Sequence, residues 1–174
     1  MNQKALIEKI YTEHFGLFIH IGKKTYGLHI ETVKDVIHDT FLKVLTHNAE
    51  KPDDELGMRA YLKTAFKNKC LDKLCRPNVF VSYTSGDDSP SHMNHENVAD
   101  LNSLQEVLFF EELLLRDACI EKLPVKYQAP VKLRLEGEAL KDIAQKLKIR
   151  ESSIHNLVYR GLKKFQKIMN KLEF

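Results

Sequence analysis

Nowhere does the chain have an apolar run approaching the ~20 residues of a membrane helix, so it is not expected to insert in a bilayer. Its N-terminus, MNQKALIEKI, mixes acid with base and lacks the apolar core of a signal peptide, which points to the cytoplasm. Cysteine is scarce: Cys70, Cys75 and Cys119 are odd in number and suggest no disulfide framework. A glycine-rich phosphate loop and an internal repeat are both missing. His38 stands beside Asp39, but no nucleophile or second base accompanies them at a defined spacing. No catalytic residue and no cofactor are therefore assigned. The eight histidines raise metal binding, and Cys70, Cys75, His92 and His95 could be assembled into a four-ligand set. The cysteine spacing fits zinc motifs poorly and the His pair falls in a linker-like stretch, so no metal is expected.

What is present is a globular composition, with 43% hydrophobic and 29% charged residues in a chain of 174. That length lies between one domain and two small ones. The net charge of +3 becomes informative once placed along the chain. Between Met58 and Arg76, Arg59, Lys63, Lys67, Lys69, Lys73 and Arg76 face Asp72 alone. A second basic stretch follows Leu140, and the segment from Asp87 to Glu121 between them is acidic. Basic regions at both ends suggest nucleic-acid contact at both ends.

Apolar spacing of three and four predicts helices throughout. One covers Leu6 to Ile21 and is interrupted by Gly22 to Leu28. A second covers Glu31 to Leu45, with Val33, Val36, Ile37, Phe41, Val44 and Leu45 inside, and a polar loop runs from His47 to Gly57. In the third, Met58 to Cys75, Leu62, Phe66, Cys70 and Leu74 step by four beside a cationic stripe of Arg59, Lys63 and Lys67. The apolar stripe packs, and the cationic one is aimed at anions. Arg76-Pro77 stops the helix, and the following Ser/Gly/Asp/Pro-rich stretch reads as a linker. A further helix spans Leu101 to about Lys122, its irregular apolar face including Leu104, Val107, Leu108, Leu114, Leu115 and Ile120. Leu123-Pro124 breaks it, and Val125 to Leu135 is helical up to Gly137.

The segment from Glu138 to Phe165 is a helix-turn-helix pattern. Leu140, Ile143, Ala144 and Leu147 mark a short helix, and Lys148, Ile149 and Arg150 break the period. Ser152 and Ser153 offer hydroxyls to cap the next helix. Its inner stripe is Ile154, Leu157, Val158, Gly161, Leu162 and Phe165, while His155, Asn156, Tyr159, Arg160, Lys163 and Lys164 face solvent. Asn and Arg are the side chains that pair bidentately with adenine and guanine edges.

These stretches resemble, in order, the sigma-70 type RNA polymerase sigma factors, specifically the compact extracytoplasmic-function (ECF) group. Asp35 to Leu42 is similar to a signature with acidic residues and a Phe at these steps. Ala60-Tyr61-Leu62 with Asn68 to Asp72 resembles the family's next helix. Leu123-Pro124, Leu133 to Gly137, Asp142 to Ala144, Leu147 to Ile149 and Ser153 to Asn156 resemble its C-terminal domain. There are departures: His38 stands for the usual Gln, Leu45 and Tyr61 for Trp, and Arg150 for the capping Ser.

The resemblance implies an all-α protein of two small helical domains. A sigma-2 type bundle at 1–77 and a sigma-4 type helix-turn-helix domain at 104–174 are joined by a flexible linker at 78–103. It implies a non-catalytic transcription initiation factor whose partners are core RNA polymerase, promoter DNA and an anti-sigma factor such as members often have. Asp35, His38 and Asp39 would dock on the polymerase. Arg59, Tyr61, Lys63, Lys67 and Asn68 would take and melt the −10 element. Ser152, Ser153, His155, Asn156, Tyr159, Arg160 and Lys163 would read the −35 element. Two other readings remain open: a free-standing helix-turn-helix regulator, and a polymerase-binding module without promoter activity.

Overall fold

The computed structural model describes residues 3–47, 50–75 and 101–172. All regular structure among them is helical. The order is α1 (Gln3–His20), a π-helical turn (Ile21–Thr25), α2 (Ile30–Thr46), α3 (Glu55–Cys75), α4 (Ser103–Glu121), α5 (Val125–Leu135), α6 (Leu140–Leu147) and α7 (Glu151–Leu172). The linker expected at 78–103 falls mostly outside the described residues.

The helices α1, α2 and α3 close around an aromatic centre. Phe18 sits between Phe41 and Phe66, edge-on to both, with centroids 5.5 and 5.0 Å away. Such pairs add about 0.5–1.5 kcal/mol each beyond the area they bury. Leu6, Ile10, Val36, Ile37, Met58 and Leu62 fill the space around them. The break expected at Gly22 is instead a continuation: α1 widens into the π turn, and Leu28 N–H bonds back to Gly22 O at 3.1 Å. Gly22 is needed there by packing, because a Cβ would lie 2.5 Å from Val33 Cγ1.

In the C-terminal half, Tyr127, Val131, Ile143, Ile154, Val158, Leu162 and Phe165 form the core between α5, α6 and α7. Gly161 lets α7 approach α5, since a Cβ would meet Val131 Cγ2 at 2.5 Å. Helix α6 ends on Lys148 in the left-handed region (φ 54°), and Ile149 N–H returns to Ala144 O. Helix α7 starts at Glu151, one residue before Ser152, and Arg150 O accepts from the amides of Ser153 and Ile154. The serines therefore lie inside the first turn, exposed, and do not provide the cap expected of them.

Helix α4 begins in a capping box: Asn102 accepts from the Gln105 amide, and the Gln105 side chain accepts from Asn102 N–H. Its orientation follows the expected one in part: Leu108 and Leu115 pack against the core and Ile120 is buried. Gln105 and Glu112 are buried, whereas Leu104 (59% exposed), Val107 (54%), Phe110 (63%) and Leu114 (70%) face outward. The inward side reaches the N-terminal bundle by polar contacts and by Phe109, edge-on to the His20 ring at 5.7 Å. Gln105 Nε2 donates to Glu13 O at 2.7 Å, and Arg116 donates to Lys24 O at 3.1 Å.

Candidate nucleic-acid and polymerase interfaces

Asp35, His38 and Asp39 are all exposed along α2. His38 Nε2 is 2.9 Å from Tyr11 OH, with the two rings stacked at 6.1 Å. Asp39 lies 3.7 Å from Lys69. Beside His38 and Asp39 opens an apolar groove of about 490 Å³ between α1 and α2, floored by Ile7, Tyr11 and Phe41 and edged by Leu42 and Leu45. Leu45, expected inside, is on this rim, and Leu42 is 61% exposed. The acidic side chains thus border an apolar trough, a combination that fits a basic amphipathic partner helix. The resemblance had pointed to these residues; the trough was not visible in the sequence because Tyr11 comes from another helix.

The five residues grouped for the −10 element do not share one surface. Tyr61 and Asn68 line a pocket of about 320 Å³ with Thr40, Lys43, Val44, His47, Ala65, Lys69 and Asp72. Lys63 and Lys67, a turn apart on one side of α3, point instead toward α4. Lys63 Nζ is 2.7 Å from Glu112 Oε1, and Lys67 Nζ is 2.6 Å from Glu112 Oε2. Lys67 is fully buried, a correction to the stripe read from the sequence as aimed at outside anions. Arg59 is half-buried and its charge, after burial itself, helps hold the His14 imidazole below the usual histidine range. The thiols of Cys70 and Cys75 are buried and pushed upward by burial, while His92 and His95 lie outside the described residues.

On α7, Ser152, Ser153, Asn156, Tyr159 and Arg160 are exposed together, and His155 is half-buried beside them. Asn156 and Arg160 are one turn apart on the same side of the helix. Lys163 departs from this set: it lies 3.6 Å from Asp72 of α3. One turn on, Gln166 Nε2 donates to Asn68 Oδ1 at 3.1 Å. The front of α7 is therefore open, and its following turns face the third helix.

Residues 115–165, from the second half of α4 to Phe165, match the family model described as sigma-70, region 4. This supports a sigma-70 type assignment for the part of the chain that holds the helix-turn-helix, and with it a DNA-binding, transcriptional role. No curated protein matches the chain. Among the described residues, no helix is long and apolar enough to cross a membrane.

Proposed function

We propose that the chain is a promoter-specificity subunit of RNA polymerase, a sigma factor of the compact ECF group. The observation that carries this reading is the coincidence of the region 4 match at 115–165 with a helix-turn-helix whose second helix exposes Asn156, Tyr159 and Arg160 together. A recognition helix laid in the major groove reads bases through side chains near its N-terminus, and these lie in its first three turns. The C-terminal half then reads the −35 element.

The N-terminal half would dock on core polymerase through Asp35, His38 and Asp39 with the apolar trough beside them. The pocket lined by Tyr61 and Asn68 suits an unstacked base of the −10 element: an aromatic ring offers a stacking face, and an amide offers a donor and an acceptor. Lys43 and Lys69 on the same rim suit its phosphates. As a specificity subunit the chain would carry no catalytic residue, would work in the cytoplasm, and would be open to control by an anti-sigma factor.

Co-purification with core polymerase followed by transcription from a promoter library tests the proposal. Promoter-selective initiation that needs both the chain and core polymerase is the expected result. Tight sequence-specific duplex binding by the free chain, without polymerase, would establish a free-standing regulator instead. Polymerase binding with no promoter activity would make it a sequestering module.

A further inference from the structure

His38, exposed on α2, is held in place from another helix. Its Nε2 lies 2.9 Å from the hydroxyl of the half-buried Tyr11 on α1, and the two rings stack at 6.1 Å. Tyr11 is itself fixed by two further rings: Phe41 meets it edge-on at 5.2 Å, and Phe15 lies 5.4 Å away. Phe41 belongs to the aromatic centre through Phe18, which rests on Phe66. A continuous run of ring contacts therefore leads from the middle of the bundle to His38 on its surface. Exposed side chains ordinarily hop between rotamers within nanoseconds. This one is tied to the core.

The hydrogen bond also decides which polar atom His38 has left to offer. A phenol hydroxyl can donate or accept, whereas a neutral imidazole carries one N–H and one bare nitrogen. The bare ring nitrogen is a stronger acceptor than the phenol oxygen, and the phenol O–H is a stronger donor than the ring N–H. Among the described residues the Tyr11 hydroxyl has no other partner. Donation from Tyr11 to Nε2 is therefore the favoured arrangement, and it puts the proton of the neutral imidazole on Nδ1. Among the described residues Nδ1 meets no other group, so its N–H is the donor that remains for a partner. Asp35 and Asp39, exposed on the same helix, supply acceptors only.

We propose that Tyr11 is a positioning residue of the polymerase-docking face: its hydroxyl sets both the orientation and the tautomer of His38, so that Nδ1–H meets the partner as a single donor beside the carboxylates of Asp35 and Asp39. This rests on the reading of α2 as the docking face. The partner that fits brings cations for the carboxylates and one oxygen acceptor for the imidazole. A surface of cations alone would leave the N–H unpaired once the face is covered, which weakens binding. Because the ring is oriented before contact, docking also loses less side-chain freedom than it would with an untethered imidazole.

Tyr11→Phe tests the hydroxyl alone, since the ring keeps its place against Phe15 and Phe41. Two readouts are taken on the full chain in mildly alkaline buffer. Nitrogen NMR of the imidazoles, with the His38 signals assigned by their loss in His38→Ala, reports which ring nitrogen carries the proton. Titration with core RNA polymerase reports docking. In the parent the His38 proton should sit on Nδ1. Tyr11→Phe should shift it to a mixture of tautomers and weaken polymerase binding about two- to tenfold, the range that loss of one hydrogen bond sets. His38→Ala should weaken binding at least as much, and Tyr11→Phe added to His38→Ala should cost nothing further. A proton found on Nε2 in the parent overturns the inference, and so does an unchanged tautomer in Tyr11→Phe. A loss that persists in full in the His38→Ala background also overturns it, because Tyr11 would then act on the partner or on the fold. If Tyr11→Phe binds like the parent while His38→Ala binds weakly, the inference falls and the docking face stands. If His38→Ala binds like the parent, His38 leaves the docking face, and that part of the proposed function falls together with the inference.

Discussion

Lys67 on α3 and Glu112 on α4 form a buried ion pair, Nζ to Oε2 2.6 Å, between helices far apart in the chain. Breaking such a pair outright costs about 3–5 kcal/mol, but removal of Lys67 leaves Glu112 with Lys63 as its cation at 2.7 Å. Lys67→Ala is expected to lower unfolding free energy by less than that in urea titration, through lost burial and one lost charge-assisted bond. Lys63→Ala should cost much less, because its side chain is 30% exposed and keeps access to water. The double replacement Lys67→Met with Glu112→Leu should recover most of the loss. Equal effects for the two lysines would show that burial is not what sets the cost.

Reversal of charge at the residues proposed to face polymerase should separate binding from stability. Asp35 and Asp39 are exposed, and the Asp39–Lys69 contact at 3.7 Å is of the kind that contributes at most about 1 kcal/mol. Asp35→Lys with Asp39→Lys is expected to leave the thermal midpoint within a few degrees of the parent. Pull-down with core polymerase should fall sharply. Unimpaired pull-down would remove this face from the docking surface.

On the recognition helix, Asn156→Ala and Arg160→Ala should each cost roughly 1–3 kcal/mol of discrimination, about ten- to a hundredfold, at promoters that depend on the −35 element. Core binding should not change, since neither side chain touches the rest of the molecule in a way that α7 needs. A promoter-library profile with no sequence-dependent change for either variant would place the readout elsewhere on the domain.

His14 gives a pH dependence of stability. Burial first, and the Arg59 charge second, hold its imidazole below the usual value of about 6.5. The unfolded chain therefore takes up a proton that the folded chain refuses. Stability is full above about pH 6.5 and declines as pH falls below it, until folded His14 is also protonated. Denaturant titrations of the parent and of His14→Leu, compared from pH 7.5 to pH 5, should diverge in slope, with the variant flatter. Parallel profiles would assign the acid sensitivity to other groups.

Helix positions were legible from the sequence because apolar spacing repeats within each helix, and the helix-turn-helix was legible for the same reason. Which side of a helix turns inward is a different matter when another helix decides it. The apolar stripe of α4 read as core, and Leu108, Leu115 and Ile120 do pack there, yet Leu104, Val107 and Leu114 face solvent because the inward side also takes Gln105 and Glu112 to partners on α1 and α3. Lys67 read as one step of an exposed stripe, since nothing local reveals a carboxylate arriving from position 112. Tyr61 and Asn68 were named together and do share a pocket, but its other wall comes from α2. The caps failed for a local reason: Arg150 O receives the first amides of α7, so the helix starts before the serines.

The partly outward placement of α4 also bears on motion. Its residues from Ser103 to Arg116 hold no fully buried apolar side chain, with Leu108, Phe109 and Leu115 only partly buried against the core, whereas Cys119 and Ile120 at its end are anchored in it. Opening free energy follows local burial, so a segment with few buried apolar side chains opens separately from the packed units on either side. Amide hydrogen exchange should therefore divide the molecule into three. The aromatic bundle of α1–α3 and the α5–α7 core should exchange last, each at its own limiting rate. The first turns of α4 should exchange first and together, with protection rising abruptly at Cys119.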